Sequence, residues 1–176
     1  MQTVRIRKIA FAAIVAALYA TLTMVLSFIG YGPIQFRLAE VFCVLPFFFP
    51  VTSIGLFVGC IIANLLSPYG IIDILAGSAA TLIAALFTMS LGRLKTDALF
   101  IKALACFPPV LFNALIVGAV IAWTTTGGGE AFRTAFAVYG LQVGIGQFAV
   151  MYIFGLPAMV YLPKTHLFAL ISRQYI

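Results

Sequence analysis

Apolar runs long enough to cross a bilayer recur along the whole chain and leave room for little else. The first extends from Ile9 to Ile29 and is interrupted only by Thr21, Thr23 and Ser27. A spanning helix takes ~20 such residues, so this run crosses unaided. A secretory signal would have a shorter apolar core followed by a small-residue cleavage site, so a retained first helix is expected. Over the 176 residues, 64% are hydrophobic and 8% charged, which excludes an ordinary soluble domain. The expected class is an all-α integral membrane protein, one membrane domain over 1–176, placed as a multi-pass protein of the cell membrane.

The net charge of +6 raises the question of nucleic acid. The basic residues are scattered at the ends of apolar segments, with no aromatic-interleaved patch, so they read as topology signals. Cys43, Cys60 and Cys106 lie inside apolar segments, far from any CxxC or Cys/His spacing, and read as small buried hydrophobes.

Gly30-Tyr-Gly-Pro33 is expected to break the first helix. The next apolar block, Val41 to Leu66, contains Pro46 and Pro50, and proline inside a helix removes a hydrogen bond and clashes with the preceding turn. We therefore expect spans over 9–29, 38–49, 51–66, 74–91, 103–123 and 134–163. Trp123 ends the fifth, as suits an interfacial belt. Asn64-Leu-Leu-Ser-Pro-Tyr-Gly-Ile-Ile-Asp73 is a polar turn between spans.

Lys and Arg gather on the cytoplasmic side of membrane proteins, which tests the division. With six spans and a cytoplasmic N-terminus, Arg5, Arg7, Lys8, Arg93, Lys95, Lys102, Lys164 and Arg173 lie inside, and only Arg37 and Arg133 outside. Were residues 41–66 one helix, Arg5, Arg7, Lys8 and Arg133 would stand inside against six outside. Six spans, with both termini cytoplasmic, are favoured.

That topology brings Glu40, Asp73 and Glu130 to the outer side, with Arg37, Asn64, Tyr69, Trp123 and Arg133, and Gln142 entering from the sixth span. Apolar walls with a few convergent donors and acceptors are what a small-molecule site requires. Within Gln35-Phe-Arg-Leu-Ala-Glu40 two readings stand. If residues 37–40 are helical, Arg37 and Glu40 share a face and form a local ion pair; otherwise they are ligand-facing groups kept near membrane depth by function. Glu130 and Arg133 read as a solvated loop pair, Asn113 as satisfying a backbone kinked by Pro108 and Pro109, and His166 as a surface residue.

Ala12, Ala16 and Ala20 recur every four residues and make a narrow face that lets another helix approach closely. A partner protein and intramolecular packing are equally open to it. The chain carries no phosphate loop, metal cluster or nucleophile elbow, so neither a cofactor nor enzymatic chemistry of its own is expected.

Ile34-Gln-Phe-Arg-Leu-Ala-Glu40 with Leu45-Pro46, together with the 64–73 turn, resembles the QueT family of queuosine-precursor transporters. With its alanine-striped first helix, the chain also resembles the substrate-binding S components of energy-coupling factor (ECF) transporters. The resemblance implies an S-component bundle that binds a 7-deazaguanine, with a T component and two ATPase subunits as separate proteins. It also implies that Ala12, Ala16 and Ala20 dock the T component. A 7-deazaguanine has adjacent N–H donors on one edge that a carboxylate accepts together. Glu40 is the first choice for that carboxylate and Asp73 the second. Asn64 or Gln142 suits the carbonyl edge, Phe36 or Tyr69 stacks on the ring, and Arg37 orients Glu40. A self-contained secondary transporter of a polar metabolite or vitamin is the alternative, and an intramembrane enzyme a distant third.

Overall fold

The computed structural model describes residues 2–31 and 34–175; Gly32 and Pro33, half of the expected break after the first helix, lie outside the described residues. Every regular element among the described residues is helical. α1 runs Gln2–Val25, and a single turn follows at Ser27–Gly30. An extended stretch then enters a 3-10 segment, Leu38–Phe47, and after a turn around Pro50 come α2 (Thr52–Asn64) and α3 (Ile71–Gly92). α4 (Leu99–Thr126), α5 (Glu130–Lys164) and a terminal α6 (His166–Tyr175) complete the chain.

α1, α3, α4 and α5 are each long and apolar enough to cross a membrane; the 3-10 segment and α2 are shorter. The break expected at Pro50 is present, and Pro46, which has no N–H to give to an α-helical ladder, sits inside the tighter 3-10 turns. α4 and α5 each contain a π-turn, Asn113–Val117 and Met151–Gly155.

Aromatic packing gathers one end of the molecule, called basal here. Phe11 of α1 packs edge-on against Phe49 at 5.4 Å, and Phe168 of α6 contacts both Phe48 and Phe49 at 5.3 and 5.2 Å. The end of α3 joins them: a Cβ on Gly92 would fall 2.1 Å from the Phe47 carbonyl oxygen, so only glycine permits that approach. The connections at 34–37, 65–70 and 127–129 lie at the opposite, apical end.

The main core joins Val15, Tyr19, Leu56, Ala85, Met151 and Met159 with all three free cysteines, which are buried. A smaller apical cluster holds Ala80, Val117, Ile121 and Val143, with Tyr69 and Tyr139 packed on it.

The alanine stripe serves an internal contact. A Cβ on Gly55 would lie 2.4 Å from the Ala12 carbonyl oxygen, and one on Gly59 2.7 Å from that of Ala16. The α1 and α2 backbones therefore touch. Ala20 is buried on the same side, whereas Ala13 and Ala17 face outward.

Candidate functional site

The apical end is built on a buried charge pair. Arg37 Nη2 stands 3.5 Å from Asp73 Oδ2, and both side chains are almost wholly withdrawn from solvent. Arg37 Nε donates to the Gly30 carbonyl at 3.4 Å, and the guanidinium lies 4.9 Å from the centre of the Tyr31 ring. Tyr31 in turn donates its hydroxyl to the Ala63 carbonyl at 2.7 Å, tying the loop to the end of α2. The local Arg37–Glu40 pair does not form. Arg37 has extended backbone (φ −86°, ψ 94°) and precedes the 3-10 segment, so the shared helical face assumed for residues 37–40 begins one residue too late.

Glu40 is instead held from inside the protein. Tyr19 donates its hydroxyl to Oε1 at 2.6 Å and the Cys43 thiol donates to Oε2 at 3.1 Å, with the carboxylate fully buried. Each carboxylate oxygen therefore already has a donor from within the protein.

Asp73 is only half engaged. Ser67 Oγ donates to Oδ2 at 2.5 Å, while Oδ1 is buried and has no hydrogen-bond partner. Asn64 Nδ2 donates to the Asp73 carbonyl at 3.0 Å, leaving its own Oδ1 buried and unpartnered. Gly77 makes room for both: a Cβ there would lie 2.8 Å from Asn64 Nδ2 and from Asp73 Oδ1. The 64–73 turn is locally braced, since Ser67 Oγ also accepts from the Tyr69 amide at 3.2 Å, and Gly70 (φ +70°) supplies the left-handed residue that opens α3. Burial pushes the Tyr69 hydroxyl up, with the charge of Asp73 adding to it, so the phenol stays neutral beside the carboxylate.

Arg37, Asn64 and Asp73 are thus brought into one connected group by the structure, with Tyr69 beside Asp73. Phe36 is half-buried on the same loop, and Gln142 is partly buried with an unpartnered Oε1. Glu40 is joined to Tyr19 and Cys43 rather than to that group. Glu130 and Arg133 flank a surface depression with Gly129, and His166 is exposed. Asn113 Nδ2 has no partner, so it does not satisfy the backbone kinked by the two prolines. Sequence reasoning missed Tyr19 and Ser67. Neither carries a signal beyond its identity, because each acts on an acid brought near by folding.

In the comparison with known families, residues 9–164 match the model described as QueT transporter. A protein of Lactococcus lactis subsp. cremoris (strain MG1363), named Queuosine precursor transporter QueT, is 45% identical over 87 residues, 48% of this chain. The match spans about half of that relative's length, 48%. No solved structure matches.

Proposed function

The chain belongs to the QueT transporter family, and from that membership we propose that it captures a queuosine precursor, a 7-deazaguanine, at the outer face of the cell membrane. It does so as the substrate-binding S component of an ECF importer. It is a multi-pass membrane protein, with four helices long and apolar enough to cross. We place its six crossings in one membrane domain with both termini cytoplasmic. Supporting this, Phe11, Phe48, Phe49 and Phe168 gather the N-terminal half of α1, the 47–51 turn and α6 at one end. Arg5, Arg7, Lys8, Lys164 and Arg173 flank these elements, and Arg93 and Lys95 follow α3 at Gly92, which abuts Phe47. The basal end is then the cytoplasmic one.

The observation that carries the binding site is a pair of buried acceptors without donors, Asp73 Oδ1 and Asn64 Oδ1, beside Arg37. A buried polar atom left unpaired costs about 1–3 kcal/mol, and a ligand's N–H groups relieve that cost. Asp73 takes the adjacent donors of the deazaguanine edge, and Asn64 or Gln142 the remaining polar edge. Tyr69 or Phe36 stacks on the ring. Arg37 orients Asp73, and Glu40 stays in the wall, held by Tyr19 and Cys43.

ATP hydrolysis falls to two separate ATPase subunits, because no phosphate-binding loop occurs in the sequence. The T component docks along the small-residue edge of α1. Ala13 there opens onto a shallow apolar groove with Ile9, Ile54 and Val58, floored by the contact of Ala12 and Ala16 with α2 at Gly55, while Ala20 is buried further along the same contact. A thermal-shift panel on the chain purified alone tests the assignment. A ligand at a hundredfold excess over its Kd stabilises the folded state by about 2.7 kcal/mol. A shift with 7-deazaguanines and none with guanine, adenine, riboflavin, biotin or thiamine is expected; a shift with a vitamin and with no deazaguanine refutes the substrate.

A further inference from the structure

Three buried amides are unused by anything described above. Gln35 is fully buried, with the Tyr69 hydroxyl beside it and no well-formed hydrogen bond to either Oε1 or Nε2, Asn113 is 2% exposed with Nδ2 unpartnered, and Gln147 is 1% exposed with Oε1 unpartnered. Buried side-chain amides are nearly always hydrogen-bonded in native proteins, so three on segments packed against one another call for a cause.

Backbone packing brings their segments together. The Gln35 carbonyl lies against Gly146, where a Cβ would stand 2.6 Å from it, and Gln147 is the next residue of α5. α4 meets α5 at the same level: Ala114, which follows Asn113, packs against Gly140 and Gly144. Asn113 also opens the π-turn of α4, and such turns, which break the regular ladder, often mark functional sites. The link to Asp73 runs through Tyr69, which packs on the Val117, Ile121 and Val143 cluster and lies beside both Asp73 and Gln35.

We propose that Gln35, Asn113 and Gln147 form an amide wall of the same site, reading the donor-and-acceptor edge of a flat heterocycle opposite Asp73. The inference rests on the binding role proposed above and adds the second edge to it. A primary amide presents one acceptor and two donors in a plane, which matches a lactam-like edge where C=O and N–H stand side by side. Asp73 and Asn64 offer acceptors at one end; the amide wall offers both kinds at the other. A ligand then has to carry hydrogen-bonding groups on opposite edges of one ring system, as a deazaguanine does and a simple apolar disc does not.

The test replaces each amide by an apolar side chain of similar shape, Gln35→Met, Asn113→Leu and Gln147→Met, in the full chain. Each variant is melted alone and titrated with a 7-deazaguanine bearing an aminomethyl group. Removing an unpaired buried amide should leave the unliganded melting temperature unchanged or higher, while affinity falls at least tenfold. Affinity within twofold of wild type overturns the amide wall when Asp73→Asn, or Asn64→Ala should that variant fail to fold, still loses binding. The site reading then survives. A lower melting temperature in the unliganded variants also overturns the wall, since it assigns the amides a structural role. If the wild-type chain itself does not respond to the deazaguanine, the parent reading falls, and with it the wall.

Discussion

Arg37 reaches past Glu40, its near neighbour in sequence, to Asp73 at the start of α3, and the two charges meet at 3.5 Å in the interior. Breaking such a pair strands one charge in a poor solvent. Asp73→Asn should therefore destabilise the unliganded protein by about 3–5 kcal/mol, and the double variant Arg37→Met with Asp73→Leu should recover much of that loss. Unfolding in detergent, followed by melting temperature, checks both. If the single variant matches wild type, the pair contributes nothing to the fold.

Glu40 predicts a different pattern. Tyr19→Phe removes the donor to Oε1 and leaves a buried acceptor unpaired, which should cost about 1–3 kcal/mol of stability. Ligand affinity measured on the folded fraction should change far less than in Asp73 variants. Equal losses of binding in the two sets would put Glu40 against the ligand.

The α1–α2 contact separates two uses of alanine on one helix. Ala16→Trp has to push apart backbones already in contact and should unfold the protein or lower its melting temperature sharply. Ala13→Trp, on the outward face, should leave folding and ligand binding intact and block assembly with the T component. Co-purification with the partner subunits reads the second effect.

Orientation is checked by labelling. The native cysteines are buried, so background reaction with an impermeant thiol reagent should be low. Glu130→Cys should react from outside intact cells, and Arg93→Cys and Arg173→Cys only after the membrane is opened. The reverse pattern inverts the topology.

The basal loop carries a pH signature. Lys102 hydrogen-bonds Asp97 and holds its carboxyl below the usual range. A carboxyl depressed in the folded state adds stability above its unfolded pKa and loses it as pH falls through the folded value. Acidification through and below the ordinary carboxylate range should therefore loosen the 93–98 loop, and Asp97→Asn should remove that step. Protease sensitivity of the loop against pH is the readout.

Much of the fold was legible because hydropathy and proline act locally. The long runs became α1, α3, α4 and α5, and the turn at Pro50 fell where a second proline made a continuous helix costly. The site was legible only as an inventory. Arg37, Asn64 and Asp73 were named from their chemistry, yet the choice of Asp73 over Glu40 as partner depends on Arg37 staying extended, which no local pattern specifies. The alanine stripe illustrates the same limit. Its spacing announces close approach, but the identity of the other surface depended on Gly55 and Gly59 facing it across the bundle.

The shortness of α2 bears on the lipid as well as on the protein. Its outward side chains, Ile54, Val58 and Ile62, with Leu65 just past its end, span 12 residues, a strip about 17 Å tall at 1.5 Å per residue, against a hydrocarbon layer of about 30 Å. On the six-crossing placement proposed above, the bilayer would thin beside α2, while beside α4 and α5 it would meet helices long enough to match it. The deformation would be relieved wherever another protein covered that side, so the mismatch would favour a partner on the face where α1 and α2 meet.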